Sequence, residues 1–235
     1  CSYPPLLIQF APEGPHLNSI FREQKKVKLV MPCKDDDYIV KEWLVYKIYN
    51  LLSPKSFRAR LVKVILADDK NKKAPAPFYG ILLEEEKQMA KRNQLVSFDR
   101  KIVPEQTEQD AFLTMAVFQY LIGNTDWSIA RERNTTLLRF ADDRLVPVPY
   151  DLDMSGLVNA TYAGPAPGLP IDEVRERYFL GYCQPGTEWE PLFEQLAAQQ
   201  AAILSMADGI PGLSRNSKKS GEAFLRGFFA AITSA

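Results

Sequence analysis

Short strand-like runs dominate the first third of the chain, and longer helical runs follow. Residues 5–11 (PLLIQFA) and 25–32 (KKVKLVMP) are apolar-rich and bounded by proline, which predicts strands. Three aspartates, 35–37, precede a run with helical spacing: Ile39, Val40, Trp43, Leu44, Ile48, Leu51 and Leu52. Acidic residues at a helix N-terminus complement its dipole, and Ser53-Pro54 predicts the stop. Residues 57–66 (FRARLVKVIL) are β-branched and partly alternating, 68–77 are polar, and 78–83 (FYGILL) are apolar again. This predicts an antiparallel hairpin with an acidic exit at Glu84, Glu85 and Glu86. Thr107 is the expected N-cap of a helix through Phe112, Met115, Phe118, Leu121 and Ile122 that stops at Gly123. An irregular loop, 124–134, leads to a second predicted hairpin, 135–140 and 145–150. Residues 159–170 are rich in proline, glycine and alanine and predict a loop, and helices are expected near 172–180, 188–207 and 219–233.

Composition narrows the function classes. A length of 235 residues suits one large domain or two small lobes. Lys plus Arg equals Asp plus Glu at 29 each, which argues against a basic nucleic-acid binder. The single histidine, His16, excludes multi-histidine metal sites and allows a serine triad only with His16 as base. Three cysteines, Cys1, Cys33 and Cys183, make neither a disulfide framework nor a four-cysteine zinc site. A Cys1–Cys33 disulfide and two unrelated buried thiols both remain open. No apolar run is long enough to predict a transmembrane helix. The chain opens on Cys1 with a segment that reads like the inside of a fold, so a fragment of a longer precursor is expected over a processed or lipid-anchored form.

Candidate chemistry concentrates between Asn124 and Gly156. A hairpin brings its two ends together, so Asp126 and Asn134 before it should meet Asp151 and Asp153 after it. These are hard oxygen donors, the type that holds magnesium. Asp151 and Asp153 share a side of an extended segment, and flanking Tyr150 and Leu152 make an uncompensated acidic pair costly. Each residue read singly is equally an ordinary loop Asp or Asn bonding its own backbone. Arg131, Arg133, Arg175 and Arg177 are candidates for an acidic acceptor, with surface charge the plainer reading. The basic stretch SRNSKKS, 214–220, reads as a solvated loop.

The order strand, strand with lysine, helix with glutamate, strand, strand, acidic linker resembles a protein-kinase small lobe. The order helix, Asp…Asn loop, hairpin, Asp resembles its large lobe. The closest likeness is to atypical kinases of the spore-coat CotH and HipA-like kind, through Gly123-Asn124-Thr125-Asp126 and Pro149-Tyr150-Asp151-Leu152-Asp153. The resemblance implies an α+β, two-lobed fold, with an antiparallel-sheet small lobe over 1–86 and a mainly helical large lobe over 87–235. It implies an ATP- and magnesium-dependent kinase whose acceptor is a protein serine or threonine. Asp126 would be the catalytic base, Asn134, Asp151 and Asp153 the magnesium ligands, and Lys28 the phosphate contact paired with Glu42. Lys26 lies on the same side of its strand as Lys28 and is the alternative. Glu84 to Glu86 would form the linker that binds adenine through backbone groups. The likeness also tilts the expected location toward an exported bacterial protein.

Two departures from the pattern matter. The interval from Asp126 to Asn134 is longer than in ordinary protein kinases, which makes Asn124 a fallback ligand. The phosphate loop expected before Lys28 is represented only by the isolated Gly14, so the fragment reading places that loop and a first strand upstream of Cys1. Two other functions stay open: an inactive pseudokinase or binding module, and a nucleotide-sugar transferase that holds its metal with Asp151-x-Asp153.

Overall fold

The computed structural model describes residues 4–67, 76–182 and 186–233. The fold is α+β, with two antiparallel sheets and five α-helices among the described residues. The first sheet contains β1 (Leu6–Gln9), β2 (Lys26–Val30), β3 (Ala59–Val64) and β4 (Phe78–Glu84), in the spatial order β1-β2-β4-β3. The second contains β5 (Val96–Phe98), β6 (Thr135–Arg139) and β7 (Leu145–Pro149), in sequence order. The helices are α1 (Asp36–Leu52), α2 (Glu86–Arg92), α3 (Gln109–Ile122), α4 (Glu190–Ser205) and α5 (Arg215–Thr233). None of them is long and apolar enough to cross a membrane.

Local chemistry accounts for the two helices that position the site. Asp35 caps α1 by accepting the Asp37 backbone N–H at 2.8 Å, and Asp36 and Asp37 occupy the first turn. The helix ends where Ser53 precedes Pro54. Its apolar face (Val40, Leu44, Ile48) packs in one core with Ile81 and Leu83 of β4 and with Phe118, Leu121 and Ile122 of α3. This core joins the two halves of the chain. Helix α3 ends at Gly123, whose φ of 66° is left-handed and favours glycine.

Several expectations require correction. The N-cap of α3 is Glu108, which accepts the Ala111 N–H at 2.8 Å; the Thr107 hydroxyl instead donates to the Pro104 carbonyl. No helix forms near 172–180, where the chain runs through turns. Glu176 accepts the N–H groups of Asp172 and Glu173, and Arg177 donates to the carbonyls of Leu121 and Phe224, so these groups are satisfied without helical bonds. The basic stretch 214–220 supplies the first turns of α5 rather than a free loop. The polar run before α5 hides the start signal, which is Ser214 accepting the Ser217 N–H at 3.0 Å. Helix α2 and strand β5 come from residues that carried no clear periodic signal. Most of the expected loop 68–77 lies outside the described residues.

Candidate functional site

The hairpin of β6 and β7 does what its topology requires. Thr135 opposes Pro149, and the Asn134 carbonyl accepts the Tyr150 N–H at 3.1 Å, which closes the open end of the ladder. Asn134 and Asp151 flank this closure, both with left-handed backbone (φ 50° and 56°). Asn and Asp tolerate that conformation better than other side-chain-bearing residues. The following segment folds back onto the end of α3. The Gly156 N–H donates to the Gly123 carbonyl at 3.0 Å, and the Leu157 N–H to that of Ile122 at 3.0 Å. A Cβ on Gly156 would stand 2.5 Å from the Val174 carbonyl oxygen, so only glycine fits. The loop bearing Asp126 and the segment bearing Asp151 and Asp153 are thereby fixed to each other.

Asp126 is held by two cationic or amide donors. Arg133 pairs with its Oδ1 at 2.9 Å, and the Asn134 side-chain amide donates to its Oδ2 at 3.0 Å and to its backbone carbonyl at 2.7 Å. With its amide nitrogen so engaged, Asn134 keeps its Oδ1 as an acceptor or metal-ligating oxygen. Asn124 is not an equivalent ligand. It is buried, its amide donates to Gln119 Oε1 at 2.9 Å, and its own Oδ1 accepts the Asp126 N–H at 2.9 Å. Asn124 therefore shapes the loop from behind.

Asp151 and Asp153 stand on either side of Leu152, which is fully buried and anchors the segment. The Asp151 N–H donates to the Tyr46 hydroxyl at 3.0 Å. The Tyr162 hydroxyl donates to Asp153 Oδ2 at 2.9 Å. Burial pushes the Asp153 carboxyl above the usual aspartate range, the charges of Asp151 and Asp126 push the same way, and the Tyr162 bond opposes them. Glu42 of α1 is buried behind the pair. Burial raises its carboxyl well above the usual range, Asp153 and Asp151 add to the rise, and the Leu152 backbone N–H and Lys28 oppose it. Glu42, Asp151 and Asp153 thus line one cavity with Lys28, while Asp126 acts on Asp153 from outside it and has Arg133 as its own partner.

Two cavities meet at Lys28. One, of about 260 Å³, is lined by Lys28, Glu42, Asp151, Asp153, Tyr38 and Tyr162 among others. The second, of about 390 Å³, is walled by Leu7, Phe57, Leu83, Phe98 and Tyr150 and by the chain from Glu84 to Glu86. Lys28 lines both, whereas Lys26 lines neither, although the two occupy the same side of β2. Lys28 and Glu42 share a cavity but do not form an ion pair among the described residues. The carboxylate of Glu84 turns away into a bond with Arg92 (2.9 Å) and with the Arg58 N–H (3.0 Å), so its side chain supports the wall. The expectation that this stretch contributes through its backbone is compatible with that orientation.

Sequence reasoning missed Tyr46, Tyr162 and the clamp role of Arg133. Tyr46 lies four residues after Glu42, on the same helix face, and this spacing could have found it. Tyr162 sits in a segment read only as loop, and nothing local marks it. Arg175 and Arg177 stack on Phe224 (4.6 and 3.7 Å from the guanidinium carbon to the ring centroid). Burial pulls the Arg177 guanidinium down to about 10, and its bonds to the end of α3 make it a structural brace. Trp127 packs against Phe112 and Met115 in a satellite core rather than lining the cleft. Cys33 is disulfide-bonded and lines the acidic cavity, while Cys1 and Cys183 lie outside the described residues.

No cluster of three or more His, Cys, Asp or Glu side chains with metal-holding geometry occurs among the described residues. Asp151 and Asp153 line the same cavity, and magnesium as a rule takes one or two carboxylates and completes its shell with phosphate oxygens and water. Comparison of the sequence with protein-family models and with curated proteins gives no match.

Proposed function

We propose that this chain is an ATP- and magnesium-dependent phosphotransferase with a two-lobed, kinase-like fold of the CotH or HipA-like kind. The observation that carries the reading is Lys28 standing between a largely apolar cavity bounded by the Glu84–Glu86 wall and an acidic cavity containing Asp151 and Asp153. A nucleotide laid across that junction puts its base in the first cavity and its phosphates at the lysine. The element order supports the same reading: two strands, the second with Lys28, a helix with Glu42, two strands, an acidic linker, then a helix, Asp126, a hairpin and Asp151.

Each residue has a definite task in this scheme. Lys28 supplies fixed positive charge to the phosphates. Asp151, Asp153 and Asn134 would hold magnesium, which neutralises phosphate charge when bound. Asp126 orients the acceptor hydroxyl and takes its proton as the hydroxyl oxygen bonds to the γ-phosphorus and the bond to the β-phosphate oxygen breaks. Arg133 and the Asn134 amide occupy one lone pair on each Asp126 oxygen and leave others for that proton. A protein serine or threonine is the acceptor class that the resemblance suggests.

The test is thermal unfolding of the chain with ATP, with and without magnesium, beside Asp151→Asn. Ligand at about 100 times its dissociation constant adds roughly 2.7 kcal/mol of stability. A magnesium-dependent rise in the native chain that the variant lacks is the expected result. A rise with a sugar nucleotide but not ATP would transfer the site to the Asp-x-Asp transferase reading. ATP binding without phosphoryl transfer to any hydroxyl would assign a pseudokinase.

A further inference from the structure

The first sheet has a second occupied face, and its chemistry is opposite in sign. Cross-strand partners share a face of an antiparallel sheet. Leu7, Lys28 and Leu83 are register partners and face the cleft. Val27 with Glu84, and Arg60 with Leu82, are register partners on the other face. These four line a further cavity of about 600 Å³, which shares Glu84 with the cleft wall and is bordered by Ala59, α1, the turn after it and the chain before β2. Lys47, Arg58, Arg60 and Arg92 line this cavity, against one carboxylate, Glu84. Arg92 and Glu84 neutralise each other at 2.9 Å. The side chains of Lys47, Arg58 and Arg60 have no carboxylate within ion-pair distance among the described residues. Three uncompensated cations thus converge on one concavity in a chain of zero net charge. Such a grouping carries a mutual repulsion that a bound anion relieves. The mouth adds apolar surface from Ile20, which is 62% exposed.

We infer that this cavity on the back of the first sheet is a binding site for a small organic phosphate, with Lys47, Arg58 and Arg60 as its phosphate contacts. Two of the three contacts are arginines, whose forked donors match phosphate oxygens. An organic group extending past the phosphate would cover Ile20. The inference stands whether or not the cleft transfers phosphate. The two sites are also chemically separable. The cleft, where Glu42, Asp151 and Asp153 line one cavity with Lys28, repels a polyanion when no divalent cation is present. The back cavity needs none.

The experiment is calorimetric titration of the chain with inorganic pyrophosphate in the presence of a chelator, at low and at moderate salt. The native chain is expected to bind, with affinity that falls as salt rises. The double variant Lys47→Ala, Arg60→Ala is expected to bind at least about tenfold more weakly. Lys28→Ala is expected to bind like the native chain. Neither the Lys47 nor the Arg60 side chain makes a hydrogen bond or ion pair among the described residues, and unchanged thermal unfolding without ligand confirms an intact fold. The charge reversal Arg60→Glu gives an independent reading and should remove binding. Absence of binding by the native chain overturns the inference. So does binding that survives both sets of variants, or binding that only Lys28→Ala removes, which would place the anion in the cleft.

Discussion

Two sets of acids lie at the candidate site, one lining the cavity at Lys28 and one beside it, and they are treated differently by the rest of the molecule. Asp126 is paired: Arg133 and Asn134 hold both of its oxygens in place. Glu42, Asp151 and Asp153 are crowded, with hydroxyl and backbone donors for support and Lys28 as the nearby cation. A paired carboxylate is held in one position by its partners. In the crowded set burial and neighbouring carboxylates raise the proton affinity of Glu42 and Asp153, and such a set gains most from an added cation. The first arrangement suits a group that must point at a hydroxyl, and the second suits a metal and the phosphates that accompany it. The difference separates two roles that residue type alone cannot separate, since all four are ordinary carboxylates.

The sharpest way to break the comparison is to remove charge from the crowded side. Asp151→Asn should abolish most of the magnesium-dependent stabilisation by ATP, read as loss of the shift in melting temperature. Asp126→Ala should leave that shift in place and lower phosphoryl transfer by roughly 10²–10⁴-fold, the usual worth of a positioned general base. Equal loss of binding in both variants would collapse the distinction between the two sets. Leu152→Ala should cost about 2–5 kcal/mol, because Leu152 is fully buried between the two aspartates; chemical denaturation measures this.

Glu42→Gln tests the crowding itself. Glu42 has a folded-state proton affinity raised above its unfolded value, so the protein resists its ionisation. Stability from this group is full below the unfolded value near 4.5 and is lost as pH rises through the raised folded value. The variant should therefore gain on the native chain as pH rises toward neutrality, by a few degrees in melting temperature without metal. Magnesium with nucleotide should shrink that gain. The smallest effect belongs to Arg133→Ala. Its side chain is 55% exposed, so solvent screening limits the loss of stability to under about 1 kcal/mol, and the change should appear mainly in transfer rate.

The strands β1 to β4, the helix α1, the hairpin of β6 and β7 and the stop at Gly123 were legible because each has a local cause: alternation, helical spacing, a cap or a turn. Hairpin topology accounts for the approach of Asn134 to the segment after Tyr150, whereas the bonds between Asp126 and Asn134 arise in a loop closed by the Ser128–Arg133 backbone pair, which no local pattern marks. The segment 172–180 was misread because its polar groups are satisfied by Glu176 and by the distant ends of α3 and α5, which no local pattern reveals. Tyr162 and the basic cavity behind the sheet share that cause. Arg58 and Arg60 alternate with apolar residues in the run 57–66, and Lys47 sits within a helical run, so no local pattern singles them out. Their convergence depends on how α1 and the turn after it wrap the sheet.

The left-handed backbone at Asn134 and Asp151 links shape and chemistry in a way that bears on protein engineering. At both positions a residue with a Cβ outside the Asn and Asp group carries a conformational penalty of about 1–2 kcal/mol. An alanine scan here would mix that penalty with loss of the functional group. Glycine removes the side chain while accepting the same torsion angles, and the Asp-to-Asn exchange alters charge while keeping them. The permitted alphabet at the two ends of this hairpin is therefore about three letters, of which the chain uses the two that bear oxygen.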